Sequence, residues 1–274
     1  MATTLREILA TVERLWPASG AEDWDAAGLA SGDPDAEVRR ILLCVDPVRA
    51  TVDEALEQGA QLLIAHHPLL LRGVTSVAED AYKGRLLADL IRGGCALVGA
   101  HTNADVVEEG PTGIVMRRLG VEGLEPIRPL ADRPERGIGL VGELPEAEPL
   151  GRFAGRVAKL LPSTAGGVRV AGEYERPVRR IAMCSGAGDS LLGHPAVRGA
   201  DAYLTSDLRH HPASESLEQS LLAGGGPALI DTAHWASEWV WLDTAAERLR
   251  EAHPDVEVAV SELNTDPWTF AIPQ

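Results

Sequence analysis

The stretch Gly59-Ala-Gln-Leu62-Leu-Ile-Ala-His66-His67-Pro68 contains a continuous apolar run that is followed at once by two histidines. Four consecutive apolar residues, 62–65, predict a strand buried on both faces, which is typical of a parallel sheet in an α/β protein. Loops at the carboxyl ends of such strands form the ligand crevice of open α/β sheets. The two histidines are therefore candidate binding residues.

Two further strands and two helices flank this stretch. Residues 41–45 and 96–99 are apolar runs of the same kind, and helices are predicted over 51–58 and 80–92 between the strands. Thr51 is the predicted N-cap of the first helix. With right-handed crossovers, this segment forms a parallel β-α-β-α-β unit.

The second half of the chain repeats this order of elements. Strands are predicted over 178–184, 202–205, 228–230 and 256–260, with helices from about 189, over 213–222 and over 235–252. Between the halves lies a segment rich in proline and glycine, which is typical of a domain junction. The sequence therefore predicts a first α/β lobe over 1–122, a connecting segment over 123–175 and a second α/β lobe over 176–274.

Several motifs of the first half recur in the second. The pairs are Arg39-Arg40-Ile41 with Arg179-Arg180-Ile181, His66-His67-Pro68 with His210-His211-Pro212, and His101 followed by Asp105 with His234 followed by Glu238. Recurrence in the same order predicts an internal duplication of two α/β units.

Composition narrows the class of protein. The chain has 274 residues and a formal net charge of −16, which argues against binding along a nucleic-acid backbone. No stretch reaches the roughly 18 apolar residues of a membrane span, and the N-terminus lacks the apolar core of a signal peptide. We expect a cytoplasmic protein without a membrane partner. The three cysteines lie in apolar runs and are expected in the core.

Histidines and carboxylates follow the predicted strands. Adjacent residues leaving a strand point in opposite directions, so His66 and His67 suit two metal ions, although one capping a helix and the other packing is an equally good interpretation. The pairs His101 with Asp105 and His234 with Glu238 add carboxylates. Mixed imidazole and carboxylate ligands suit zinc, iron, manganese, cobalt or nickel.

Three other features allow two interpretations each. The turn over 185–190 follows a strand and could bind a phosphate through its N–H groups, or be only a tight turn; it has no lysine and is no P-loop. Arg209 could hold a phosphate or orient metal ligands. The set Trp235, Trp239 and Trp241 favours helix packing or a subunit contact over base stacking.

Four ordered motifs resemble the NIF3-like family, also labelled GTP cyclohydrolase 1 type 2 homologue or dinuclear metal centre protein. They are Leu62-Leu-Ile-Ala-His66-His67-Pro68, Gly99-Ala-His101-Thr-Asn-Ala-Asp105, Asp207-Leu-Arg-His210-His211 and Asp231-Thr-Ala-His234-Trp-Ala-Ser-Glu238. The match runs from Trp24-Asp25 to Glu238. Residues 24–28 read Trp-Asp-Ala-Ala-Gly where Trp-Asp-Asn-Val-Gly is usual, so the asparagine of the family pattern is replaced by Ala26. Trp235 stands where tyrosine is common. The chain resembles the short form of the family.

The resemblance implies a NIF3-like α/β fold of two similar lobes, each with a mixed sheet flanked by helices. It also implies a toroidal homohexamer and two divalent metal ions per chain. The implied ligands are His66, His67, Asp105, His234 and Glu238, with Glu238 as a bridge. For His101 and His210 the resemblance implies a role in orienting the metal ligands or in catalysis on the substrate.

Two functions from different classes are compatible with these residues. The first is a metal-dependent hydrolase acting on a nucleotide-like or phosphorylated substrate, in which metal ions lower the pKa of bound water and His101 or His210 moves protons. The alternative is a non-catalytic hexameric scaffold or regulator that binds metal. A small nucleotide or phosphate is the expected ligand of the metal-dependent hydrolase.

Overall fold

The computed structural model describes residues 2–272. These residues form two compact units, one of residues 2–104 and 241–265 and the other of residues 105–240 and 266–272. The first unit contains α1 (Leu5–Leu15), β1 (Gly28–Ser31), β2 (Arg40–Cys44), α2 (Arg49–Glu57), β3 (Leu62–Ala65), α3 (Tyr82–Arg92), β4 (Ala96–Gly99), α10 (Leu242–Ala252) and β11 (Glu257–Val260).

The helix α4 (Thr102–Asp105) runs up to the start of the second unit. The second unit contains α5 (Pro111–Arg118), β5 (Glu122–Pro129), β6 (Gly137–Pro149), α6 (Leu150–Leu160), β7 (Arg169–Ala171), β8 (Pro177–Ala187), α7 (Pro195–Arg198), β9 (Ala202–Ser206), α8 (His210–Leu222), β10 (Ala228–Thr232) and α9 (His234–Trp239). Within residues 2–272, no helix has the length and apolar character needed to cross a bilayer.

The first unit has a mixed five-stranded sheet in the order β1-β4-β3-β2-β11. The strands β4, β3, β2 and β11 are parallel, and β1 is antiparallel at the edge. The parallel arrangement of 41–45, 62–65 and 96–99 is confirmed. Because both faces of these strands are buried, their sequences are continuously apolar. On one face α2 and α3 pack through residues such as Val52, Ala55, Leu86 and Leu90.

The second unit has a mixed six-stranded sheet in the order β5-β6-β8-β9-β10-β7. Its central strands β8, β9 and β10 are parallel, and β6 and β7 flank them in antiparallel pairing. The α/β fold of two mixed sheets flanked by helices is confirmed. The connecting segment over 123–175 supplies β6, α6, β7 and most of β5, so it is part of this unit.

The duplication is visible in the hydrogen bonds that begin each parallel core. The side-chain oxygen of Gln61 accepts from the N–H groups of Arg39 and Arg40, at 2.9 and 3.0 Å. Asp201 Oδ2 accepts from Arg179 and Arg180, both at 2.8 Å. Equivalent positions in the two units therefore accept hydrogen bonds from the same two successive N–H groups.

The segment 241–265 lies in the first unit and not in the predicted second lobe. Strand β11 pairs with β2 in parallel. The helix predicted over 235–252 is two helices, α9 and α10, and the break at Val240 and Trp241 is where the chain passes from one unit to the other.

Two other helix predictions need correction. The helix expected from about residue 189 is one 3-10 turn, Asp189–Leu191, and the single-turn α7, because Gly193 and Pro195 interrupt the segment. Helix α2 begins at Arg49, so Thr51 is not its N-cap. The Thr51 hydroxyl lies in the first turn, where it accepts from the N–H of Val48 at 3.0 Å.

Candidate metal site

Three histidines of the first unit come together at the carboxyl ends of β3 and β4. His66 and His67 follow β3 directly, and His101 follows β4. Each offers one ring nitrogen, and these three atoms lie within 4.8 Å of one another. Because β3 and β4 are parallel neighbours, their loops leave the same edge of the sheet. This cluster of three histidines could hold a metal ion.

Hydrogen bonds fix the rings of His66 and His67. Nδ1 of the buried His66 donates to the carbonyl oxygen of Ala100 at 2.9 Å, and Nδ1 of His67 donates to Asp46 Oδ1 at 2.7 Å. A carbonyl or carboxylate oxygen only accepts, so the proton of each neutral ring is on Nδ1 and the lone pair on Nε2. Most metal-binding histidines are held in this way.

Asp25 performs the same role for His101. Its Oδ1 accepts from His101 Nδ1 at 2.8 Å, and its Oδ2 accepts from the N–H of Thr102 at 3.0 Å. Burial raises the pKa of Asp25, but the hydrogen bonds from His101 and Thr102 outweigh burial and hold that pKa well below its usual value. Asp25 is therefore ionised at neutral pH, and it orients His101 alongside the other two histidines.

The second unit contributes a histidine and a carboxylate one helical turn apart. His234 begins α9, and its Nε2 lies 3.0 Å from Glu238 Oε1. The predicted placement of the two on one face is confirmed. On the other side of the ring, Nδ1 donates to Asp207 Oδ2 at 2.8 Å. Asp207 has a positive φ of 58°, a conformation that aspartate tolerates better than most residues.

Charge around His234 is strongly negative. Burial lowers the pKa of His234, but the Glu238 and Asp207 carboxylates on either side of the ring outweigh it and raise the pKa well above its usual value. A site that stabilises positive charge on an imidazole also favours a cation. The pair His234 and Glu238 is thus electrostatically suited to a divalent ion.

Asp105 ends α4, on the side of the second unit. Burial raises the pKa of the Cys184 thiol, and the negative charges of Asp105 and Glu238 raise it further. Both carboxylates therefore lie near Cys184. Among residues 2–272, however, no group of three potential metal ligands within 4.8 Å of one another includes Asp105.

Gly186 makes room for the carboxylate of Glu238. It has a φ of +64°, and a Cβ built there would lie 2.5 Å from Glu238 Oε1 and 3.1 Å from His234 Nε2. Its N–H donates to the hydroxyl of Ser237 at 3.0 Å, and the N–H of Ser185 donates to that of Thr112 at 3.0 Å. The turn over 185–190 is therefore occupied in packing against α9 and α5, and these two N–H groups are directed at hydroxyls.

His210 lies elsewhere. It begins α8 on the surface, with its ring 5.1 Å from that of His211. Among residues 2–272, no group of three potential metal ligands includes it. Ile41 pairs with Leu62 as Ile181 pairs with Ala202. Ser206 and Asp207 therefore take the positions of His66 and His67, and the predicted correspondence with His210-His211 is wrong.

Arg209 and the tryptophans support structure. Arg209 pairs with Asp189 at 2.6 Å on the surface. The ring of Trp241 lies 5.0 Å from that of Trp16 and 5.3 Å from that of His66. Helix packing is confirmed for Trp241, which also forms one wall of the histidine cluster.

Sequence reasoning missed Asp46 and Asp207, and it gave Asp25 no role. Each holds the Nδ1 of a ligand candidate. A signal was present for two of them, because Asp46 follows β2 and Asp207 follows β9 at the same kind of strand end that carries the histidines.

Imidazole nitrogens and carboxylates, each oriented by a further hydrogen bond, fit a divalent transition metal. The fold and these residues define an α/β protein of two mixed sheets whose histidines and carboxylates could hold a metal ion. The chain belongs to the Duf34/NIF3 (NGG1p interacting factor 3) family, whose model matches residues 3–267.

Known proteins agree with this assignment. A GTP cyclohydrolase 1 type 2 homolog of Streptomyces coelicolor is 46% identical over 271 residues, covering 97% of this chain and 93% of the relative. A Mycobacterium bovis protein with the same name is 31% identical, with 98% of each chain covered. The solved structure of a Bacillus cereus protein related to NIF3 has a TM-score of 0.89 at 22% identity, covering 99% of this chain and all of the other, which supports the fold alone.

Proposed function

We propose that this protein binds two divalent metal ions per chain and uses them to hydrolyse a nucleotide-like or phosphorylated substrate. The proposed ligands are His66 and His67 in the first unit and Asp105, His234 and Glu238 in the second. Zinc, iron, manganese, cobalt and nickel all suit such donors. The family name, GTP cyclohydrolase 1 type 2 homolog, belongs to the relatives and supports a nucleotide-like substrate.

One observation carries the proposal. His66, His67, His101 and His234 each have Nδ1 held by a carbonyl or carboxylate oxygen, at 2.7 to 2.9 Å. Histidines that only pack in a core do not require a hydrogen bond at the same ring atom in all four residues. An anchored Nδ1 fixes the tautomer, which leaves Nε2 for a metal in His66, His67 and His234 and for a proton in His101.

The proposed hydrolysis gives the metal ions and the side chains different roles. Divalent ions supply Lewis acidity, which activates water at neutral pH and polarises a phosphoryl or ring carbon–nitrogen bond. Asp46, Asp25 and Asp207 keep the imidazoles oriented. His101, anchored by an ionised Asp25, is positioned to hold or pass a proton at Nε2.

Metal content tests the binding half of the proposal. We expect tag-free protein to contain about two metal ions per chain by elemental analysis, and His67→Ala to lose at least one. His211→Ala is the matched control, because His211 is exposed on α8, and it should keep both ions. Equal metal content in all three proteins would contradict the proposed ligands.

Turnover tests the hydrolase half. GTP and a set of phosphate monoesters and diesters are incubated with metal-loaded protein, with chelated protein and with Glu238→Gln. We expect release of product only with the loaded wild type. Turnover that survives chelation would refute metal-dependent hydrolysis, and no turnover with a fully loaded site would favour the metal-binding scaffold or regulator.

We also propose assembly with further copies of this chain, as a homohexamer. Near the C-terminus, Trp268, Phe270 and Ile272 are 72 to 77% exposed, and exposed apolar groups of this size are typical of contact surfaces. Light scattering coupled to size exclusion should give six times the chain mass. A monomer at micromolar concentration would contradict the proposal.

A further inference from the structure

Trp24 is an exposed aromatic residue next to the histidine cluster. Its side chain is 58% exposed, although tryptophan is normally well buried. The indole ring meets the ring of His101 edge to face, with ring centroids 5.8 Å apart and an interplanar angle of 78°. One side of the indole therefore faces His101 while much of its surface remains accessible.

The backbone that carries Trp24 is held in place on both sides. The N–H of Glu22 donates to the Thr102 hydroxyl at 3.0 Å, and the N–H of Asp25 donates to the carbonyl oxygen of Glu22 at 2.9 Å. Asp25 is in turn bonded to His101 and Thr102. The network that orients His101 thus fixes the backbone on either side of Trp24, so little backbone entropy is lost when a ligand binds to the indole.

We propose that Trp24 is the stacking platform for a planar nitrogen heterocycle of the substrate, such as a purine base. An accessible indole face binds heterocycles by stacking, whichever base is offered. The neighbouring side chains, Glu22 and Asp23, are acidic, which disfavours a phosphate and leaves a neutral ring as the ligand of this surface. A ring on Trp24 lies beside His101 and hence beside the histidine cluster.

This inference rests on the proposed function, because it names the part of the substrate that the metal site leaves unspecified. It also explains why one aromatic residue at the site is exposed while Trp16 and Trp241 are buried in the same unit. A nucleotide analogue without its base should gain nothing from Trp24.

Calorimetric titration with GMP, and with ribose 5-phosphate as the ligand without a base, tests the inference on metal-loaded protein. We expect Trp24→Ala to weaken GMP binding about ten-fold or more, as for loss of one stacked base. Ribose 5-phosphate should bind both proteins equally. Trp24→Phe should retain most of the GMP affinity, and Tyr82→Ala, which removes another exposed aromatic of the first unit, should change nothing.

Three outcomes would overturn the inference. They are unchanged GMP affinity in Trp24→Ala, no GMP binding to the wild type at millimolar concentration, and equal loss of GMP and ribose 5-phosphate. A fall in solution mass with Trp24→Ala and unchanged GMP affinity would identify Trp24 as a subunit contact. Metal content and turnover measured on the same samples separate these results from failure of the proposed function, in which the wild type itself would contain no metal or release no product.

Discussion

At the scale of single residues, Gly186 leaves room for the carboxylate of Glu238, a proposed metal ligand. A methyl group at this position would lie 2.5 Å from Glu238 Oε1, and the φ of +64° disfavours any side chain. We therefore expect Gly186→Ala to cost about 1–3 kcal/mol of unfolding free energy and to reduce metal content. Urea denaturation and elemental analysis measure the two effects.

Gly155 provides the control for that substitution. It lies within α6, and a Cβ there meets nothing within 4 Å. Gly155→Ala should stabilise the protein by about 0.5–1 kcal/mol, because alanine loses less backbone freedom in a helix. If the two variants behaved alike, crowding at Gly186 would not be the cause.

The three cysteines are expected to be inert in the folded protein. Cys44, Cys95 and Cys184 are 1, 2 and 7% exposed, and burial raises the pKa of each thiol, to about 12 for Cys95. Thiolates are the reactive form. Iodoacetamide at pH 8 should leave the native protein unlabelled and label three sites after denaturation. Labelling of the native protein would show that these thiols become accessible.

At the scale of elements, α1 begins with a capping box. The N–H and hydroxyl of Thr4 both donate to Glu7 Oε2, at 2.7 and 2.9 Å, and these hydrogen bonds lower the pKa of Glu7. The ionised carboxylate therefore stabilises the fold above its unfolded-state pKa of about 4.3. This stabilisation is lost as the pH falls through the lower folded-state pKa.

We accordingly expect Glu7→Gln to be less stable than the wild type at pH 7 and to approach it as the pH is lowered toward 3. Urea midpoints over this pH range measure the difference. Glu218→Gln on the exposed face of α8 is the control, and its midpoint should follow that of the wild type throughout. A constant deficit of Glu7→Gln at all pH values would mean that the charge of Glu7 plays no part.

The central strands were predictable because burial on both faces gives a continuous run of apolar residues in the sequence. Residues 62–65 and 96–99 match β3 and β4, and 41–45 is displaced by one residue from β2. Edge strands have no such apolar run. Strand β1, with two exposed positions out of four, and the three-residue β7 form because β4 and β10 offer free edges, and that depends on tertiary structure.

Only part of the candidate site could be predicted from the sequence. Histidines at strand ends are visible in the sequence, but their anchors are not. Asp46, Asp25 and Asp207 lie 21, 76 and 27 residues from the rings that they hold. Such pairings require the sheet order, which a list of elements does not contain.

At the scale of the whole molecule, bound metal should stabilise the fold. The candidate metal ligands come together only in the folded chain, so an ion that binds only this state adds to the unfolding free energy. Chelated protein supplied with Zn²⁺ at about 100 times its Kd should gain about 2.7 kcal/mol for one site. Calorimetric melting with and without Zn²⁺ tests this, and an unchanged melting temperature would contradict it. His67→Ala should gain less than the wild type.

The pair of side chains at Gln61 and Asp201 has a wider consequence. Each caps two successive N–H groups at the start of a parallel core, one through an amide and the other through a carboxylate. The same two hydrogen bonds are thus accepted by an amide oxygen in one unit and by a carboxylate oxygen in the other. The side chain present in one unit is therefore a guide to which substitutions its counterpart in the other unit will accept.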